Sequence, residues 1–287
     1  MARRPKFHSL ARDVRLSSWV LLDSMKNCGP WFTIKWLFDF LGINTYVKMR
    51  YPFCGYEVTV RASPVWKRIE RGKQEPACLR YLTNLELQGK TVLDVGAAFG
   101  SYSLLLSKLV GTTGFVYAFD PDPKAVKVLR ENTQMNGLSN VHVEERCLSN
   151  VSGKTKLRAN VFGIGVSSIM NKPTEGAIQE IDVETTTIDK FCEENDIRPD
   201  GIKIDVEGAE RKVVEGAQNT IRKYSPWILL EFHGNYMDEE ERRETWALFS
   251  RTAKRIVFVD GSTRLYSYGS ILDTMPEVKE FHVFAQY

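Results

Sequence analysis

Val92-Leu93-Asp94-Val95-Gly96-Ala97-Ala98-Phe99-Gly100 is the stretch that decides how this chain is read. A short apolar run ends in one glycine, and a second glycine opens a helical pattern carrying Leu104, Leu105, Leu106 and Leu109. A strand that runs into a tight glycine turn and then a helix is the opening unit of a parallel α/β sheet. Glycine lets a ligand come close to the backbone where a Cβ would collide. The free N–H groups of the helix start suit a carboxylate. The turn is not the dinucleotide fingerprint, because Ala98 stands where G-x-G-x-x-G needs its second glycine. No G-x-x-x-x-G-K-[ST] run occurs either, so a phosphate-cradling loop is excluded as the main reading.

Outward from that turn the chain keeps a strand–helix rhythm. Apolar runs at 91–95, 115–119, 141–143, 181–187, 201–206, 226–232, 255–259 and 280–286 read as strands. Helical spacing appears at 102–110, from Asp122-Pro123 to Asn136-Gly137, at 209–223 and at 237–253. Residues 150–180, rich in Gly, Ser, Asn and Lys, read as loops or short strands. Alternating strands and helices predict a doubly wound, mostly parallel sheet covered on both faces. Asp120 ends the strand after the glycine turn. An acid there can accept hydrogen bonds from both hydroxyls of a ribose.

These residues resemble a known family. V-L-D-V-G-A-A-F-G is similar to the first motif of class I methyltransferases. I-K-I-D-V-E-G-A-E (202–210) resembles the K-I-D-V-E-G-x-E signature of the FkbM family. V-Y-A-F-D-P-D-P (116–123) resembles that family's V-Y-A-F-E-P-x-P, and C-L-S-N (147–150) its A-L-S-D. The resemblance spans roughly residues 57–240. Two departures stand out: Ala98 replaces the Asn of G-A-N, and Asn150 replaces the Asp of A-L-S-D. The resemblance implies a seven-stranded Rossmann-like sheet and S-adenosylmethionine as cofactor. It implies methyl transfer to a hydroxyl of a sugar, a lipid-linked glycan or a polyketide-like metabolite. It places the cofactor against Asp94, Gly96, Ala97, Phe99 and Gly100, then Asp120 and Pro121, then Cys147, Leu148 and Ser149, and Asp205. Glu75, before Pro76 and a predicted helix, stands where the family often carries an acid.

The strand ends also gather catalytic chemistry. Ligands of such sheets bind at the carboxyl ends of the strands, where Asp205, Glu231 and His233 should meet. Methyl transfer needs the acceptor oxygen, the methyl carbon and the sulfur in line. A base that takes the hydroxyl proton then helps. His233, with its near-neutral pKa, is the expected base, and Asp205 is the second candidate. Asp205 and Glu231 are also suited to hold a hard cation such as Mg²⁺. The bland alternatives are that Glu207 and Glu210 only favour a helix start and that Lys203 only pairs with an acid.

The bulk of the sequence bounds what else the protein does. Its 287 residues suffice for one large domain with an extension, here divided as a helical accessory segment (1–56) and the methyltransferase domain (57–287). Residues 1–90 carry 16 Lys and Arg against 7 Asp and Glu, whereas 91–287 carry 23 against 29. A basic first third with an aromatic helix at 31–40 is expected to touch an anionic surface, and peripheral membrane contact through 1–56 is one form of that. The five scattered cysteines form no C-x-x-C pair, which fits a reducing, cytoplasmic setting. Neither a signal peptide nor a transmembrane helix is expected. A nucleic-acid or protein methyltransferase and a non-catalytic cofactor-binding module are the competing classes. The absence of N-P-P-Y or D-P-P-Y makes nucleic acid the poorer partner, and the intact turn argues against a dead site.

Overall fold

The computed structural model describes residues 44–160, 167–170, 178–259 and 280–287, together with residues 30, 33 and 34. The chain forms two compact units, Met1–Pro76 and Ala77–Tyr287. In the first, β1 (Tyr46–Arg50) and β2 (Glu57–Arg61) pair antiparallel. Alternation along the ribbon buries Val47, Met49, Val58 and Val60. α1 (Pro64–Glu70) has proline in its first turn and buries Trp66 and Ile69. The division expected at residues 56/57 therefore falls between two paired strands. The stretch taken as helical contains strand β1, because Val47 and Met49 alternate with Lys48 and Arg50. Of the aromatic run at 31–40, only residues 33 and 34 are described, and both are helical. The rest lies outside the described residues.

The second unit begins within α2 (Pro76–Thr83). Its elements are β3 (Thr91–Val95), α3 (Ser101–Val110), β4 (Phe115–Phe119), α4 (Pro123–Met135), β5 (Val141–Glu144), β6 (Cys147–Leu148), β7 (Gly153–Asn160) and β8 (Ile178–Thr186). Then come α5 (Ile188–Glu194), β9 (Gly201–Ile204), α6 (Glu210–Glu215), α7 (Gln218–Tyr224), β10 (Trp227–His233), α8 (Glu239–Ser250), β11 (Arg255–Phe258) and β12 (Glu280–Gln286). Seven strands form one sheet in the order β11-β12-β10-β9-β3-β4-β5. β10, β9, β3, β4 and β5 run parallel, and β12 lies antiparallel between β10 and β11. A smaller sheet, β6-β8-β7, flanks it in the chain order.

The core explains why the strands read as continuous apolar runs. Leu93, Val95, Ile202, Ile204, Ile228, Leu230 and Phe232 are all buried, as expected of strands covered on both faces. The expected α/β, doubly wound and mostly parallel sheet is what the chain forms. One local expectation fails. The helix read at 209–223 is two helices, parted at Gly216-Ala217. A Cβ on Gly216 would lie 2.1 Å from the Ser149 carbonyl oxygen, so this backbone is pinned against its neighbour. The Asp189 carboxylate then takes up the Asn219 and Thr220 amides of α7. The stretch at 150–180, read as loops or short strands, contains the eight-residue strand β7.

Candidate active site

The glycine turn is held by contacts between three strand ends. Gly96 has φ +80°, and a Cβ there would lie 1.7 Å from the Asp205 carbonyl oxygen. Only glycine lets β3 and β9 approach this closely. The amides of Gly96 and Ala97 both donate to the Phe119 carbonyl, at 2.9 Å each. The Ala98 amide donates to Asp120 Oδ2 at 2.8 Å, and the Asp122 amide to Asp120 Oδ1 at 2.9 Å. Asp120 is therefore locked at the tip of β4 with lone pairs to spare on both oxygens. Burial pushes its carboxyl up to about 7, against the two amides that pull it down. Ala98 sits at φ +48°, in the left-handed region. That explains the Asn of the usual G-A-N, since asparagine tolerates this conformation better than alanine.

Above the turn opens a cleft at the carboxyl ends of β3, β4 and β9. Of the residues expected to meet a cofactor, Gly96, Asp120, Pro121, Cys147, Leu148 and Asp205 line it. Burial holds the Cys147 thiol up to about 12, so it stays neutral. The others do not line it. Ala97 is bonded into the turn, and Phe99 offers its carbonyl to Asn132. Gly100 packs on Leu104 and Leu129. Ser149 is buried, with its amide on the Thr186 carbonyl. Glu75 belongs to the first unit, at φ +41°, and accepts from the side-chain amide of Gln74.

Asp94 lies beneath the turn, fully buried. Ser103 Oγ donates to its Oδ2 at 2.5 Å, and Lys203 Nζ stands 3.4 Å from its Oδ1. Lys203, also buried, reaches Asp205 Oδ2 and the Gly96 carbonyl, both at 3.2 Å, and lies over the Tyr102 ring. Lys203 thus ties the glycine turn to the Asp205 strand end.

Sequence reasoning missed several lining residues. Val206 and Glu207 follow Asp205 and were visible in the motif. Arg146 adjoins the Cys147 segment. Ser167, Ser168 and Ile169 carried no signal, because they come from a polar stretch without periodicity. Ser167 Oγ donates to Asp122 Oδ2 and Ser168 Oγ to the Glu207 carbonyl, which brings this short segment to both walls.

Beside Asp205, the structure brings together the three residues expected to catalyse. One donor atom each from Asp205, Glu231 and His233 lie within 4.8 Å of one another. His233 Nε2 is 3.6 Å from Glu231 Oε1, and His282 Nε2 is 3.3 Å from Glu231 Oε2. Behind them, His233 Nδ1 is 2.8 Å from Glu210 Oε1, which also accepts the Gly208 amide. Glu210 is therefore more than a helix-start charge: fully buried, it orients the imidazole. Burial lowers the pKa of His233. The hydrogen bond to Glu210 and the charges of Glu210, Asp205 and Glu231 overcome this and raise it to about 9. The pairing with Glu210 favours the protonated ring and sets the charge held beside Asp205 and Glu231.

The cleft sits where β4 and β9 leave β3 in opposite directions, the switch point at which such sheets bind nucleotides. Asp120 on one wall fits a ribose, and the acids of the other fit a cationic sulfonium with its ammonium. Fold and site together define a class I S-adenosylmethionine-dependent methyltransferase domain. The chain belongs to the FkbM methyltransferase domain family, whose profile matches residues 94–278. Among curated relatives, hexuronic acid methyltransferase AglP of Haloferax volcanii is 26% identical over 171 residues, 59% of this chain and 66% of the relative. A ribosomal protein L11 methyltransferase of Caldanaerobacter subterraneus is 41% identical over 78 residues, 27% of this chain and 25% of the relative. The chain thus spans from a quarter to about two thirds of the length of these relatives. A solved FkbM methyltransferase from Methylobacillus flagellatus aligns at TM-score 0.45 with 17% identity, covering 70% of this chain and 45% of that one. No helix among the described residues is long and apolar enough to cross a membrane.

Proposed function

We propose that this protein is an S-adenosylmethionine-dependent O-methyltransferase acting on a hydroxyl of a sugar or glycan. The observation that carries the reading is the continuity of Asp205. It lines the cofactor cleft on one side and joins Glu231 and His233 on the other. Asp120 binds the ribose, and Asp205 with Lys203 shapes the wall beside the methionine end. The bound cofactor supplies an electrophilic sulfonium methyl group. Asp205 and Glu231 accept the hydrogen bond of the incoming hydroxyl and align its oxygen. One of these carboxylates would take up the hydroxyl proton as the methyl group left the sulfonium sulfur, as the neutral thioether, for the acceptor oxygen. The Glu210–His233 pair holds Glu231 in place. Likeness to a hexuronic acid methyltransferase supports a sugar acceptor. Two carboxylates at the acceptor side favour a neutral hydroxyl over a sugar carboxylate, which they would repel.

The test is methyl transfer from isotopically labelled cofactor to a panel of hexosides and hexuronosides. Product is expected to be an alkali-stable methyl ether. An alkali-labile methyl ester would refute the hydroxyl assignment. Label appearing only in protein or RNA would refute the sugar assignment.

A further inference from the structure

We propose that Asp205, Glu231 and His233 form a binding site for one divalent first-row transition ion, with Glu210 orienting the histidine ligand. Spacing is the first argument. Ligand atoms about 2.0–2.2 Å from a common ion stand at most about 4.4 Å apart. Here all three donors lie within 4.8 Å of one another, so a shift of a few tenths of an ångström closes the set.

The second argument is independent of the acids. Metal-bound histidine characteristically gives its other ring N–H to a carboxylate, which fixes the tautomer and ring orientation. His233 is 5% exposed, and its Nδ1 lies 2.8 Å from the fully buried Glu210. That contact turns Nε2 toward Glu231 Oε1, 3.6 Å away. The same arrangement leaves Glu210 Oε2 buried with no hydrogen-bond partner among the described residues.

Charge is the third. Asp94, Asp205, Glu210 and Glu231 face Lys203 and His233, with His282 at the edge of Glu231. A divalent ion held between Asp205, Glu231 and His233 Nε2 would meet the carboxylates gathered there. The donor set selects the ion. One imidazole nitrogen and two carboxylates suit Mn²⁺, Co²⁺ or Zn²⁺ better than Mg²⁺, which prefers all-oxygen shells with several waters. Asp205 places such an ion at the rim of the cofactor cleft, where an acceptor hydroxyl would arrive. The site itself does not depend on the acceptor's being a sugar.

The experiment titrates the chelator-stripped full chain with Co²⁺, followed by visible absorption, and with Mn²⁺, followed by loss of the free-ion EPR signal. One ion per chain is expected, with nitrogen hyperfine coupling from His233 in pulsed EPR. Glu210→Gln should weaken binding about 10–100-fold, and Glu231→Gln at least as much. S-adenosylhomocysteine affinity should be unchanged in both, which checks the fold. No saturable binding, no nitrogen coupling, or equal affinity in Glu231→Gln would overturn the proposal. If a variant fails to fold, stoichiometry and nitrogen coupling in the parent protein decide it. Methyl transfer to a glycan by metal-free protein that binds no ion would refute the metal site and leave the acceptor reading standing.

Discussion

Replacing Gly96 by alanine tests whether the turn is built for backbone contact between β3 and β9. Three costs can be read from the structure. Alanine at φ +80° is in the left-handed region, at about 1 kcal/mol. Its Cβ would lie 1.7 Å from the Asp205 carbonyl oxygen and 2.8 Å from the carbon, so one strand end must move by more than 1 Å. Moving Asp205 stretches its amide bond to the Val95 carbonyl, now 3.0 Å, for about another 1 kcal/mol, and disturbs Lys203. The expected loss is about 2–4 kcal/mol of stability, with S-adenosylhomocysteine affinity falling at least tenfold. Gly137→Ala is the control: it has φ +61° and nothing within 4 Å of the added Cβ, so it meets only the conformational cost. Chemical denaturation of both variants, with calorimetry of ligand binding, separates the steric part from the conformational part. Equal destabilisation of the two, with unchanged affinity in Gly96→Ala, would refute the close-approach argument.

Other expectations concern the neighbouring charges. Asp120 has its folded pKa raised to about 7 from 3.8, so its contribution to ligand-free stability is greatest below pH 4 and is lost as pH rises toward 7. Cofactor ribose favours the carboxylate, so affinity should rise with pH and level off above about 7, falling about tenfold per pH unit below that; calorimetry in buffers of different ionisation enthalpy should show proton release, and a flat profile would contradict it. Asp120→Ala should weaken S-adenosylhomocysteine binding by about 1–3 kcal/mol through lost ribose hydrogen bonds, measured by the same titration. Lys203→Met strips Asp94 and Asp205 of their buried partner and should cost about 3–5 kcal/mol in denaturant unfolding. Ala98→Gly should shift stability by less than about 1 kcal/mol, toward greater stability, because it relieves the left-handed alanine.

Much of the fold was legible in the residue order because its signals are local. The apolar runs of β3, β4, β9 and β10 and the glycine turn announce themselves within a few residues, and so does the Asp122-Pro123 start of α4. Parallel strands covered on both faces must be apolar throughout, so the run itself is the signal. The meeting of Asp205, Glu231 and His233 was legible for a related reason, since a parallel sheet brings its strand ends to one edge. What the sequence left open depends on partners distant along the chain. Gly216, where one helix gives way to the next, has no room for a side chain because the Ser149 backbone lies against it. That Ser103 and Lys203 enclose Asp94 is visible only in the fold. The proton affinity of His233 depends on Glu210, twenty-three residues earlier, whose carboxylate lies on its ring and raises its pKa. Periodicity and motif describe which faces are apolar and where the chain turns. Burial, carbonyl approach and the charge around a proton are sums over neighbours that only the folded arrangement brings together.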